Sequence, residues 1–243
     1  MSEASKLITV IGRGHSGTRA IALTLQASGV FMGAFLNEST DMLPPDDMYE
    51  ACRVMGKYVT HLGGENWDFS DLHEMEIDTE FTRLATAYLD PILSRETALK
   101  GWKLPETTLV YPWIARMFPD AYFIQWYRDP RDSIMGGHQT DDVTDFGVPC
   151  DLPEDHIARR ALSWHYQHEL IKATPAPKNV ITVRFEDFVL EQEATLSRLE
   201  EFLGFPLARI RVNSDRVHLW KKQEGELPEI PFLAEAIREL GYE

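Results

Sequence analysis

Apolar and β-branched residues run from Leu7 to Ile11 and stop at Gly12-Arg13-Gly14-His15-Ser16-Gly17. A short apolar run bounded by glycine predicts a buried strand. Ala20-Ile21-Ala22-Leu23-Thr24-Leu25 follows, predicting a helix over about 18–27 that Ser28-Gly29 ends. Val30–Phe35 is apolar enough for a second short strand, and Asn37–Asp47 carries the polar and proline residues of a loop. The spacing then predicts helices over 47–62, closed by Gly63-Gly64, and over 80–93, with an acidic irregular stretch between them. Strands are expected at 98–104, stopped by Pro105, at 121–127 and at 179–185. Helices are expected at 106–117, from Pro130, at 154–173, at 196–203 and at 232–240, with a mixed basic segment over 208–226.

Strands near residues 9, 101, 123 and 182 thus alternate with helices. That order predicts an α/β domain with a parallel sheet covered on both faces. A chain of 243 residues can bury such a core as one domain, 1–243. The stretch 37–97 departs furthest from simple alternation and is the expected substrate-side insertion.

Charge narrows the choice of ligand. The formal charge is −15, which argues against nucleic acid and against an anionic membrane face. A local basic pocket stays compatible with that total, so the placement of each cation matters. Two distant cysteines, Cys52 and Cys150, predict neither a disulfide framework nor a zinc site. The polar start, Met1–Lys6, lacks a signal-peptide pattern and no apolar run reaches membrane length, so a cytoplasmic protein is expected. Asn37-Glu38-Ser39 matches a glycosylation pattern that has no use in that setting.

A buried strand, a glycine loop and a helix N-terminus form a device for holding phosphate, because loop amides and helix dipole both favour an anion. Gly12-x-x-x-x-Gly17 has the spacing of a P-loop, but Thr18 and Arg19 stand where nucleotide triphosphatases have lysine and a hydroxyl residue. An ordinary ATP or GTP site with magnesium is therefore disfavoured. A second basic turn, Tyr127-Arg128-Asp129-Pro130-Arg131-Asp132-Ser133, follows its strand as the first loop follows its own. In a parallel sheet both open at the carboxyl ends of strands, where Arg128 could fork onto a second phosphate. A surface salt-bridge turn is the plain alternative for Arg131 and Asp132.

Gly12–Arg19 resembles the 5′-phosphosulfate loop of sulfotransferases that use 3′-phosphoadenosine 5′-phosphosulfate (PAPS), and 127–132 resembles their 3′-phosphate motif. Val183-Arg184-Phe185-Glu186-Asp187-Phe188, with the helix to Gly204, is similar to the family's later strand–acidic turn–helix. Val217-His218-Leu219-Trp220-Lys221 is similar to its C-terminal cofactor loop. The resemblance implies a three-layer αβα sandwich, P-loop NTPase-like, and sulfuryl transfer in line from PAPS to a hydroxyl or amine. Adenosine 3′,5′-bisphosphate would leave and no metal would be required. Positioning and charge stabilisation would dominate such a reaction.

On that resemblance, Arg13, Gly14, His15, Ser16, Gly17, Thr18, Arg19, Arg128, Ser133, Trp220 and Lys221 would bind the donor. His15 and Lys103 would serve the reacting groups, and Glu38, in the loop after the first helix, would be the general base. Asp41 and His61 are alternatives. Two departures stand out. The family commonly has lysine or arginine at the place of His15, whose charge two phosphates would favour, and serine at the place of Gly136, for which Ser133, one turn earlier on the same helix face, is the expected substitute. They motivate a reading as a non-catalytic nucleotide-binding homologue, beside a P-loop kinase reading that the missing lysine disfavours. His165 and His168 have a helical metal spacing but are expected to be packing residues. Trp67, Phe69, Tyr111 and Trp113 are either acceptor lining or core. The acceptor, a small molecule, glycan or lipid, and the oligomeric state are not specified by the sequence.

Overall fold

The computed structural model describes residues 5–222 and 230–243; part of the basic segment expected over 208–226 therefore lies outside the described residues. Its first unit is strand β1 (Lys6–Ile11) and helix α1 (Thr18–Ala27). Next come α2 (Asp46–Gly56), a hairpin of β2 (Thr60–Gly63) and β3 (Asn66–Asp68), α3 (Ser70–Glu74) and α4 (Thr79–Leu93). The main sheet resumes with β4 (Leu99–Lys103), α5 (Tyr111–Met117), β5 (Tyr122–Tyr127) and the short α6 (Pro130–Ser133). The chain then forms α7 (His156–Ala173), β6 (Asn179–Arg184), α8 (Phe185–Leu190), α9 (Gln192–Leu203) and α10 (Leu233–Glu239).

The four long strands form one parallel sheet in the order β4-β1-β5-β6. Val10 lies opposite both Lys103 and Ile124, so the carboxyl ends of β1 and β4 finish side by side. Alternate residues serve opposite faces, as the period of two requires. Ile8, Val10, Ile124 and Trp126 pack under α1, α8 and α9 with Ile21, Leu25, Phe188 and Leu199. Trp102, Phe123 and Tyr127 face α2, α4, α5 and α7 with Met55, Leu89, Trp113 and Tyr166. This is the α/β architecture with both sheet faces covered.

Four local expectations change. The stretch 30–35 makes one parallel bridge, Phe31 to Lys100, rather than a strand, since Gly33 turns at φ 115° and Phe35 faces solvent. Helix α2 stops at Gly56, which packs against the main chain of Phe146 and Gly147, and Gly63-Gly64 turns the hairpin instead of ending a helix. Residues 105–110 coil as a 3₁₀ turn before α5, because Pro112 fits only the start of a helix. The helix at Pro130 lasts one turn before Gly136-Gly137.

Candidate functional site

The loop between β1 and α1 is shaped by its own main chain. Gly17 has φ 82°, and α1 starts there with no side-chain cap. The amides of Gly14, His15 and Gly17 have no hydrogen-bond partner among the described residues, whereas the Gly12 amide donates to Thr108 Oγ1 at 2.9 Å. Open amides at an uncapped helix N-terminus are an anion-binding arrangement. The Ser16 hydroxyl bonds the Arg13 carbonyl, and the Ser16 carbonyl accepts from the Trp126 indole at 2.9 Å, which fixes the loop to β5.

The other three segments meet this loop. Arg128 donates to the His15 carbonyl at 3.0 Å and to the Arg216 carbonyl at 2.6 Å, pairs with Asp132, and lies 5.0 Å over the Phe185 ring. Phe185 also seals the back of Gly17, where an added Cβ would come within 2.6 Å of the ring. Glu186 accepts the Asp129 amide at 3.1 Å. Trp220 donates its indole N–H to Asp129 and its amide to Asp132, and its ring lies 4.0 Å from the Arg131 guanidinium. Lys221 is exposed beside the same ring. Segments 12–19, 127–133, 183–188 and 217–221 therefore form one cluster at the carboxyl edge of the sheet.

Residues 8–209 match the model of the sulfotransferase family. The chain belongs to the sulfotransferase family. Solved structures repeat its fold at low identity. The sulfotransferase domain from the curacin biosynthetic pathway is 15% identical, with TM-score 0.58, over 100% of this chain and 99% of that one. The sulfotransferase domain from the Synechococcus PCC 7002 olefin synthase is 12% identical, with TM-score 0.55, over 100% and 98%. Sulfotransferase STF9 from Mycobacterium avium is 13% identical, with TM-score 0.50, over 98% and 77%. No curated protein sequence matches the chain significantly.

Within this sulfotransferase fold the expected residues separate into groups. Arg13 is buried and turned inward, bonding the carbonyls of Gly14 and Ser133 and pairing with Asp141, so it braces the loop. Thr18 is buried in the first turn of α1. Arg19 is exposed there and makes no ion pair or hydrogen bond among the described residues. The Ser133 hydroxyl is fully buried without a partner. Lys103 is buried, donates to the Ser39 carbonyl at 2.6 Å and pairs with Asp41, anchoring the loop 37–45 to β4. Burial lowers the Lys103 pKa. Glu38 is exposed on that anchored loop.

The two departures from the family pattern fit each other. A Cβ on Gly136 would stand 2.6 Å from Nδ1 and 2.7 Å from Cγ of His15, so a serine here would collide with the ring. Partial burial, and then the Arg13 guanidinium, push the His15 pKa below its ordinary value. The protein alone therefore favours the neutral ring, and two phosphates would have to supply the charge expected from the sequence.

His61 sits in the β2–β3 hairpin, bonding the Gly64 carbonyl. Tyr111 and Trp113 are core, and the indoles of Trp67 and Trp113 donate to the carbonyls of Pro149 and Leu72. Phe69 is core beside Tyr166. His168 stacks on Trp164 and contacts Glu239, while His165 packs beside Phe232. Among the described residues no cluster of three or more metal-ligating side chains occurs.

Sequence reasoning missed Glu106 and His138. Glu106 follows the carboxyl end of β4 and is 1% exposed; burial pushes its pKa up to about 7. The His138 ring lies against Gly14, where an added Cβ would come within 2.1 Å of it. Burial, with Arg13 and His15 nearby, takes the His138 pKa down to about 4. The rule that ligands gather at carboxyl ends of strands could have found Glu106. Nothing local marks His138.

Proposed function

We propose that the chain transfers a sulfuryl group from PAPS to a hydroxyl or amine of a small-molecule, glycan or lipid acceptor. The observation that carries this reading is the cluster of four segments around a loop with open amides and no Walker lysine. The loop fits an anionic group: its amides are unpaired, α1 has no cap, and Gly17 supplies φ 82°. The amides of Gly14, His15, Gly17 and Thr18 would hold the 5′-phosphosulfate, with Ser16 and Arg19 beside them. Arg128 would hold the 3′-phosphate, with Trp220 and Lys221 closing that side. PAPS supplies an already activated sulfuryl group, so the protein's task is to orient it and neutralise charge. His15, at the loop apex, would stabilise the leaving phosphate once the donor's charge favours its proton.

The acceptor would approach from the side of loop 37–45, which Lys103 fixes through Asp41. Free thiols at Cys52 and Cys150 suit a reducing, cytoplasmic setting. Among the described residues no helix is long and apolar enough to cross a membrane. The mutual fit of His15 and Gly136 weighs against a decayed, non-catalytic homologue, since it describes one adjusted site.

Thermal unfolding with and without adenosine 3′,5′-bisphosphate tests the donor site. A clear rise in Tm is expected, and no rise at millimolar ligand would overturn the reading. Incubating the protein with PAPS and cell-extract metabolites should then yield products heavier by one SO3 unit. Turnover of ATP with magnesium would favour the kinase reading instead.

A further inference from the structure

Two polar groups converge beside Gly14 from different parts of the chain. Glu106 follows β4, and His138 lies in the turn after α6. Oε1 of Glu106 stands 3.9 Å from Nε2 of His138, too far for a hydrogen bond but close enough for one oxygen to bond both. Nδ1 of His138 meets the Thr140 amide at 3.3 Å and the Thr140 hydroxyl at 3.0 Å, and the amide can only donate. With Nδ1 accepting, the neutral ring carries its proton on Nε2. The donor of this pair is thus His138 and the acceptor is Glu106. Among the described residues no side chain hydrogen-bonds the Glu106 carboxylate, although the residue is 1% exposed. Its own main-chain amide donates to it, and the remaining lone pairs of this buried carboxylate are open to a further donor.

We propose that Glu106 is the general base of the transfer and that Nε2–H of His138 orients the acceptor hydroxyl between them. The inference rests on the sulfotransferase reading and deepens it. The acceptor oxygen receives a hydrogen bond from Nε2–H and gives its own proton to Oε1 of Glu106. That O–H bond breaks as the oxygen bonds to sulfur. The bond from sulfur to the bridging phosphate oxygen breaks, and its electron pair leaves on the phosphate. The product is a sulfate ester, with adenosine 3′,5′-bisphosphate released and Glu106 protonated until solvent removes the proton. Glu38, exposed on its loop, is then dispensable for proton transfer.

The surroundings of Glu106 suit this task. Asp41 comes from loop 37–45, Tyr49 and Cys52 from α2, Tyr88 from α4, Lys103 from β4 and His138 from the turn. Burial raises the Glu106 pKa most, the bond from its own main-chain amide opposes the rise, Asp41 adds to it, and Lys103 lowers it. A base that titrates near neutrality combines availability with driving force.

The test compares the full-length wild type with Glu106→Gln, Glu106→Asp, His138→Ala and Glu38→Ala, using adenosine 3′,5′-bisphosphate and 35S-labelled PAPS with water as acceptor. Infrared difference spectra of the unliganded protein should show a protonated-carboxyl band that titrates near neutral pH and is missing from Glu106→Gln. Release of labelled sulfate should rise with pH in the wild type along the limb on which Glu106 ionises, before His15 loses its proton. Glu106→Gln should lose about 100-fold or more of that rate and the rising limb. Glu106→Asp should keep the limb, and Glu38→Ala the rate. His138→Ala should slow release while leaving the carboxyl band. The Tm rise with bisphosphate should survive in all four variants. A Glu106→Gln rate within threefold of wild type, an unchanged pH profile, or no titrating band would overturn the proposal. Failure of the donor reading looks different: the wild type itself would show no bisphosphate shift.

Discussion

The sides of the site proposed for donor and for acceptor are built on different principles. On the donor side, main-chain groups do most of the work: open amides at α1, carbonyls that receive Arg128, and glycines that permit close approach. On the acceptor side, side chains buried among α2, α4 and β4 are held by charge, with Lys103, Asp41 and Glu106 within one small region. Main-chain devices tolerate wide variation in side chains but demand glycine at fixed points. A buried ionic group demands its partners and little of the local backbone.

The contrast can be broken most directly at Arg128. Replacing it with alanine strands the fully buried Asp132, which should cost about 3–5 kcal/mol of stability in denaturant unfolding. The Tm rise with adenosine 3′,5′-bisphosphate should also largely vanish, and a full rise would move the 3′-phosphate role elsewhere. Lys103→Met leaves Asp41 less buried than Asp132, so the expected loss is about 1–3 kcal/mol. The bisphosphate shift should persist while turnover fails; loss of both would merge the two sides into one unit.

Smaller effects sharpen the comparison. Gly136→Ser should cost about 1–3 kcal/mol in the wild type, because the new Cβ meets the His15 ring. In a His15→Ala background the same change should be nearly free, a coupling that a double-mutant cycle measures. Additive costs would dissociate the two departures. The least effect concerns protons. The His15 pKa is depressed in the protein alone, so this group weakens the fold as pH falls through the ordinary histidine value of about 6.5. Bound phosphates raise that pKa, so bisphosphate affinity should increase on going from about pH 8 to pH 6, by less than tenfold per pH unit. Calorimetry in two buffers should register proton uptake, and His15→Ala should abolish it.

The meeting of the glycine loop and the Arg128 turn was legible because its signals are local. A strand running into Gly12–Gly17 and the turn at Arg128 each declare themselves within eight residues, and a parallel sheet brings their ends together. The inward turn of Arg13 was not legible, since Asp141, which pairs with it, lies 128 residues away. Apolar spacing predicted α4 closely, but it ran α2 through to residue 62 because Val59 and Leu62 extend the apolar spacing of α2 into what is an exposed hairpin. Glu106 carries no local signal, since what removes it from water is the packing of α2, α5 and α7 on the turn 105–110.

The bond from Arg128 to the Arg216 carbonyl has a consequence for synthesis. Chains leave the ribosome amino end first, and β1, β4, β5 and β6 have all been made before Arg216 and Trp220 appear. The sheet can thus pair while its carboxyl edge still lacks the segment that covers it. The segment that receives Arg128 is thus among the last parts of the fold to take its place, and a product ending before Arg216 would leave that guanidinium without one of its main-chain partners and β6 without α10 beside it.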